Sequence, residues 1–125
     1  MKKMFIMTMA LVMAGGLSLA NAGNVDKGKA LFESPTLGGG TTGKSCKSCH
    51  PGGKNLGGDL FDRKNLSIMG TDQDSLAAMV NTCIEKPLGG TAIDPKGEEM
   101  LDLLAYIKTL VAGQGNSKPK KVEGC

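Results

Sequence analysis

Apolar and polar residues recur with a helical period in three stretches of this chain, and glycine-rich polar segments separate them. In residues 24–32, Val25, Lys29 and Phe32 fall at helical spacing, and Asn24 stands where a helix cap belongs. Gly28 lies inside that stretch and costs about 1 kcal/mol against alanine, which predicts close approach of another helix. The second stretch places Leu76, Met79, Val80 and Cys83 at i, i+3, i+4 and i+7. This predicts a helix capped by Thr71 or Asp72, running to about Glu85 and ended by Pro87, Gly89 and Gly90. The third has Asp94 as its expected cap, Pro95 at its first position and Glu98 and Glu99 in its first turn. Its apolar residues, Met100, Leu101, Leu103, Leu104, Ile107, Leu110 and Val111, are too many for one narrow stripe. It is therefore expected to be mostly buried, and Gly113 closes it. Three helices and no strand pattern predict an all-α fold.

A fourth apolar run is of a different kind. Lys2 and Lys3 precede the apolar stretch from Met4 to Leu19, and Ala20-Asn21-Ala22 is a small-x-small cleavage site. Residues 1–22 are therefore expected to be a signal peptide, which directs the rest to the bacterial periplasm or its equivalent. Gly15, Gly16 and Ser18 interrupt the run too often for a transmembrane helix. Cleavage after Ala22 removes two lysines and lowers the formal charge from +3 to +1. A near-neutral chain carries no basic footprint for nucleic acid. What remains is one domain over residues 23–113 and a basic, proline-interrupted tail over 114–125. At 125 residues, with aromatics only 3% of the total and no tryptophan, the chain is poorly supplied with large apolar side chains for a core.

Two motifs lie in the glycine-rich segments. Gly38-Gly39-Gly40-Thr41-Thr42-Gly43-Lys44-Ser45 matches the phosphate-loop pattern G-x-x-x-x-G-K-S. That motif needs a buried strand before it and a helix after it, whereas Glu33-Ser34-Pro35-Thr36 precedes it here. It is accordingly read as a flexible glycine-rich loop with no nucleotide as partner.

The second motif follows at once. Cys46-Lys47-Ser48-Cys49-His50 is a C-x-x-C-H sequence, which in an exported chain reads as the attachment site of one covalent c-type haem. Two thiols add across the vinyl groups of one porphyrin, and the spacing lets a single turn present both. His50 is then placed to bind the iron as proximal ligand. A redox dithiol and a zinc site are the alternatives for a bare C-x-x-C. The chain has one histidine, and His50 uses it. The glycine-rich residues 51–59 that follow are expected to wrap the haem edge.

Gly28 with Phe32, Tyr106 on the last helix, the haem motif, and Gly53-Lys54-Asn55-Leu56-Gly57 together resemble the monohaem class I cytochromes c. The resemblance implies a small fold wrapped around one haem c, with the first helix crossing the last near Tyr106. It also implies that a G-P-x-L loop turns a carbonyl toward the proximal imidazole, and here Lys54 replaces the proline. In that family a methionine before the last helix is the second axial ligand. Leu88 occupies that place, which leaves Met69, Met79, Met100, Cys83 and Cys125 as the sulfurs available. Val80-Asn81-Thr82-Cys83, with Leu88-Gly89-Gly90-Thr91-Ala92-Ile93 and Glu99-Met100, is similar to the haem domains of thiosulfate dehydrogenases and related sulfur-oxidising cytochromes. That resemblance implies Cys83 as the sixth iron ligand. Met100 and Met69 are the alternatives, and a Cys83–Cys125 disulfide is the competing use of the thiol.

The implied function is periplasmic electron transfer, with redox proteins in the periplasm or at the inner membrane as partners, and no catalytic residues. With no second histidine, the chain has no distal base for peroxide chemistry. A haem subunit or domain of a thiosulfate-dehydrogenase-like enzyme is the second reading, and a haem-based redox or gas sensor the third.

Overall fold

The computed structural model describes residues 22–115. Nearly all of the expected signal peptide lies outside these residues, as do Cys125, with the alternative Cys83–Cys125 disulfide, and most of the basic tail. The described chain is mostly helical with one small two-stranded sheet. Its elements are α1 (Val25–Glu33), α2 (Cys46–Cys49), β1 (Leu66–Ile68), β2 (Thr71–Gln73), α3 (Leu76–Glu85) and α4 (Glu98–Ala112), with short 3₁₀ turns at Leu37–Gly39 and Pro51–Gly53. Among the described residues no helix is long and apolar enough to cross a membrane.

The fold is built on the crossing of α1 and α4. Asn24 caps α1 as expected, its Oδ1 accepting the Lys27 N–H at 2.9 Å. Gly28 and Phe32 form the buried face of α1. A Cβ on Gly28 would run into the backbone carbonyl of Asp102, so the glycine lets two helix backbones touch. One turn on, Phe32 and Tyr106 meet edge to face, with ring centroids 5.4 Å apart. Asp102 is buried at 4% exposure, and its Oδ1 accepts the Asn24 N–H at 2.5 Å. A carboxylate thus sits within the crossing because a backbone donor satisfies it. Met100, Leu103, Ile107 and Val111 carry the core along α4, joined by Phe32, Leu37, Leu60, Val80, Ile84 and Leu88.

Three expectations are corrected. The all-α reading missed the hairpin. Ile68 and Thr71 pair across a two-residue turn, with Ser67 opposite Asp72 and Leu66 opposite Gln73. Met69 (φ +52°) and Gly70 (φ +76°) are both left-handed, which matches the right-handed twist of the flanking strands in a type I′ turn. Thr71 and Asp72 consequently lie in β2, and Ser75 caps α3 instead, its Oγ accepting the Ala78 N–H at 3.1 Å. The last helix starts later than Asp94. Asp94 closes a separate turn, taking the Lys96 N–H on Oδ1 at 2.9 Å and the Gly97 N–H on its carbonyl at 3.0 Å, and Gly97 is the cap of α4. Asp-Pro at a helix start and Asp-Pro in a turn look alike locally, and the hydrogen bonds of Asp94 decide between them.

The glycine-rich segment before the C-x-x-C-H sequence is tied down by hydrogen bonds. Thr41 and Thr42 donate their N–H groups to the Leu88 carbonyl at 2.9 and 3.2 Å, and Thr91 N–H donates to Gly38 at 2.7 Å. The threonine hydroxyls reach Gly89 and Pro87 carbonyls at 3.1 and 2.8 Å. Two of the N–H groups that a phosphate loop would turn to its anion are thus bonded to the chain itself, and the helix that follows is a single turn of four residues.

Candidate functional site

Cys46, Cys49 and His50 are brought together by one turn of helix. Ser45 N–H donates to Ser48 Oγ at 3.0 Å, and the two hydroxyls lie 3.3 Å apart, closing the start of α2. His50 N–H donates to the Cys46 carbonyl at 2.8 Å and closes its end. The two cysteines are i and i+3 on this turn, hence neighbours on one helical face. Both are half-buried. Burial pushes the Cys46 thiol up from its ordinary 9.0 to about 11, so without a covalent partner it stays protonated.

The imidazole of His50 is oriented by backbone. Its Nδ1 lies 2.9 Å from the Lys54 carbonyl oxygen. A carbonyl only accepts, so Nδ1 carries the proton and Nε2 is left with its lone pair for a metal. Residues 50–56 hold that carbonyl in place through a run of tight turns. Gly53 N–H donates to His50 at 3.0 Å, Lys54 N–H to Pro51 at 3.1 Å and Leu56 N–H to Gly53 at 3.1 Å.

Side chains from elsewhere secure this loop. Gln114 Nε2, just beyond α4, donates to the Gly53 carbonyl at 2.7 Å. Arg63 donates through Nη2 to the Leu56 carbonyl at 3.1 Å and pairs with Asp59 at 2.7 Å. On the outer side of α2, Lys47 reaches Glu33 at 3.1 Å, and Lys29 reaches the same carboxylate at 3.2 Å. Hydrogen bonds from Lys47 and then Lys29 hold the Glu33 carboxyl below its ordinary value.

The remaining sulfur candidates occupy three different settings. Cys83 and Met79 are half-buried on α3, four residues apart and so on one side of the helix. Met100 is fully enclosed in the core, as is Leu88 at 2% exposure. Met69 is 49% exposed at the hairpin turn. The loop from α3 to α4 is fastened by Asn81, whose side-chain amide donates to the Ile93 carbonyl at 2.9 Å and accepts the Ile93 N–H at 3.0 Å.

Two observations bear on whether a haem suits these residues. Leu56, Leu76, Ala77, Met79, Ile93 and Leu104 pack on the core yet stay only partly buried, leaving apolar surface that a porphyrin could cover. Among the described residues no three His, Cys, Asp or Glu side chains converge on one point. Haem brings four nitrogens of its own and needs one or two side chains at its iron, and His50 offers Nε2 as one of them. The residues present fit a haem. Sequence reasoning did not single out Gln114 or Arg63. An Asp59–Arg63 spacing of i, i+4 is a signal for the second, and nothing local marks the first. Comparison of the chain with family models, curated proteins and solved structures gives no match.

Proposed function

We propose that the chain is a periplasmic electron carrier with a single covalent haem c, built as a small class I cytochrome c. The observation that carries this reading is the His50 Nδ1–Lys54 carbonyl hydrogen bond at 2.9 Å, directly after a one-turn helix bearing Cys46 and Cys49. It fixes the tautomer and orientation that an iron-binding imidazole needs. The haem would supply a one-electron couple at its iron. Cys46 and Cys49 anchor the porphyrin edge and His50 presents Nε2. Residues 51–59 and the partly buried apolar side chains restrict water at the site, and the partners are redox proteins that dock and exchange one electron. Intact mass of the exported, matured protein tests this. The expected mass is the chain from Gly23 plus one haem, and Cys46→Ala or Cys49→Ala should weaken or abolish attachment. A matured chain without haem mass, from a cell with working haem-attachment machinery, excludes the reading.

Cys83 is the proposed sixth ligand. Its half-buried place on α3 suits a group that meets a cofactor, whereas Met100 is enclosed by core side chains. A thiolate on ferric iron donates electron density and lowers the reduction potential. Cys83→Ala is expected to turn the ferric spectrum high-spin or to recruit a methionine. An unchanged low-spin spectrum and potential would return the choice to Met100 or Met69. The same Cys83 supports the second reading, a thiosulfate-dehydrogenase-like haem subunit, which thiosulfate oxidation with an artificial acceptor tests directly.

A further inference from the structure

We propose that Gln114 is a positioning residue for the proximal ligand, acting through the backbone turn that carries the Lys54 carbonyl. The inference rests on the haem reading above and goes beyond it. Gly53 to Leu56 forms a four-residue turn closed by the Leu56 N–H to Gly53 carbonyl bond at 3.1 Å. Its first central residue, Lys54, has φ −52° and ψ 136°, and its second, Asn55, has φ +66°. These angles define a type II turn.

In a type II turn the carbonyl between the two central residues points to the opposite side from its direction in a type I turn. The two forms interconvert by rotating that one peptide unit. Here that carbonyl is the one on Lys54, 2.9 Å from His50 Nδ1. A flip to type I would take the acceptor away from the imidazole. The local sequence leaves the flip open. Type II wants glycine at its second central position, and Asn55 accepts the left-handed conformation at some cost.

Tertiary contacts fix the peptides on either side of the unit that would rotate. Gln114 Nε2 donates to the Gly53 carbonyl, the first acceptor of the turn, at 2.7 Å. Gly53 itself is left-handed at φ +80°, and a Cβ there would lie 2.8 Å from both Leu110 Cβ and Gln114 Nε2. Gly58 packs more closely still, and a Cβ there would run into the backbone carbonyl of Gln114. On the far side of the turn, Arg63 holds the Leu56 carbonyl at 3.1 Å. Gln114, just beyond α4, therefore reaches back across 61 positions in sequence to anchor the start of the turn whose Lys54 carbonyl meets His50. Through that backbone, Gln114 would act on the proximal ligand from just beyond α4.

The test uses the exported, haem-loaded protein and three variants: Gln114→Ala, Gln114→Glu, and Gln114→Ala combined with Asn55→Gly. Gln114→Glu keeps the shape of the side chain and removes the donor. The readouts are solvent exchange of the His50 Nδ1 proton by NMR in the reduced protein and the reduction potential. Losing one hydrogen bond that holds the turn should speed exchange by about tenfold. The potential should rise, because a weaker Nδ1 hydrogen bond leaves the imidazole a poorer donor to ferric iron. Glycine at the second central position restores the preference for type II, so the double variant should return both readouts toward wild type. A purely structural role predicts lower thermal stability in every variant and no such rescue. Haem present with unchanged exchange and potential in Gln114→Ala and Gln114→Glu overturns the positioning role alone. A matured chain without haem mass overturns the haem reading and the positioning role with it.

Discussion

The α1–α4 crossing and the side of the molecule formed by α3 and the hairpin differ in what completes them. At the crossing, protein atoms fill everything. Gly28 meets backbone, Phe32 meets Tyr106, and the buried Asp102 carboxylate has the Asn24 N–H. On the other side, Leu76, Ala77, Met79 and Ile93 remain partly open, Met69 is 49% exposed, and the two strands have three residues each. A region closed by its own side chains is a scaffold. A region that leaves apolar surface half covered is built to pack against something else, and the proposed haem is a body of the right character.

Substitutions can break that comparison, beginning where the largest effect is expected. Gly28→Leu forces the helix backbones apart and should destabilise the protein by about 3 kcal/mol in chemical denaturation. An unchanged midpoint would mean that the crossing tolerates a gap and is no more tightly closed than the α3 side. Asp102→Ala leaves the Asn24 N–H without its acceptor and should cost about 2 kcal/mol by the same measurement. Asn81→Ala, on the α3 side, removes both hydrogen bonds to Ile93. It should cost only about 1 kcal/mol, since water can reach this half-buried site. If Asn81→Ala proved costlier than Asp102→Ala, the ranking of the two regions would be reversed.

The smallest effect is expected at the surface, where Glu33 joins α1 to α2. Its carboxyl is held down by Lys47 and Lys29, so its folded pKa lies below the ordinary 4.5. A depressed carboxyl contributes stability above its unfolded pKa and loses it as pH falls through the folded value. In Lys47→Ala the Glu33 carboxyl midpoint, followed by carbon-13 NMR, should move up toward 4.5. Thermal stability at pH 7 should hardly change, because the pair is exposed to solvent.

How much of this was legible in the chain varies with the range of the interactions. The three longer helices follow from side-chain periodicity, and Asn24 and Gly113 mark two of their ends as expected. The starts of α3 and α4 did not follow, because Thr71, Asp72 and Asp94 are equally at home in strands, turns and caps. The hairpin was missed for a related reason. Its three-residue strands are too short for alternation to register, and its turn places Met69 rather than Asn or Asp before glycine.

By itself the sequence determined the local chemistry of this protein. Cysteines three residues apart with a histidine next stay close along the chain wherever that segment lies, and the glycine midway along α1 pointed to a close neighbour, which the structure supplies in Asp102. Tertiary structure alone decided which carbonyl orients His50 and which distant side chain holds the turn that carries it. It also decided that Met100 is enclosed while Cys83 and Met79 remain partly open. The reason is physical. A hydrogen bond such as Gln114 to Gly53 spans 61 positions and exists only because helix packing brings its ends together, so no local pattern of residue types can announce it.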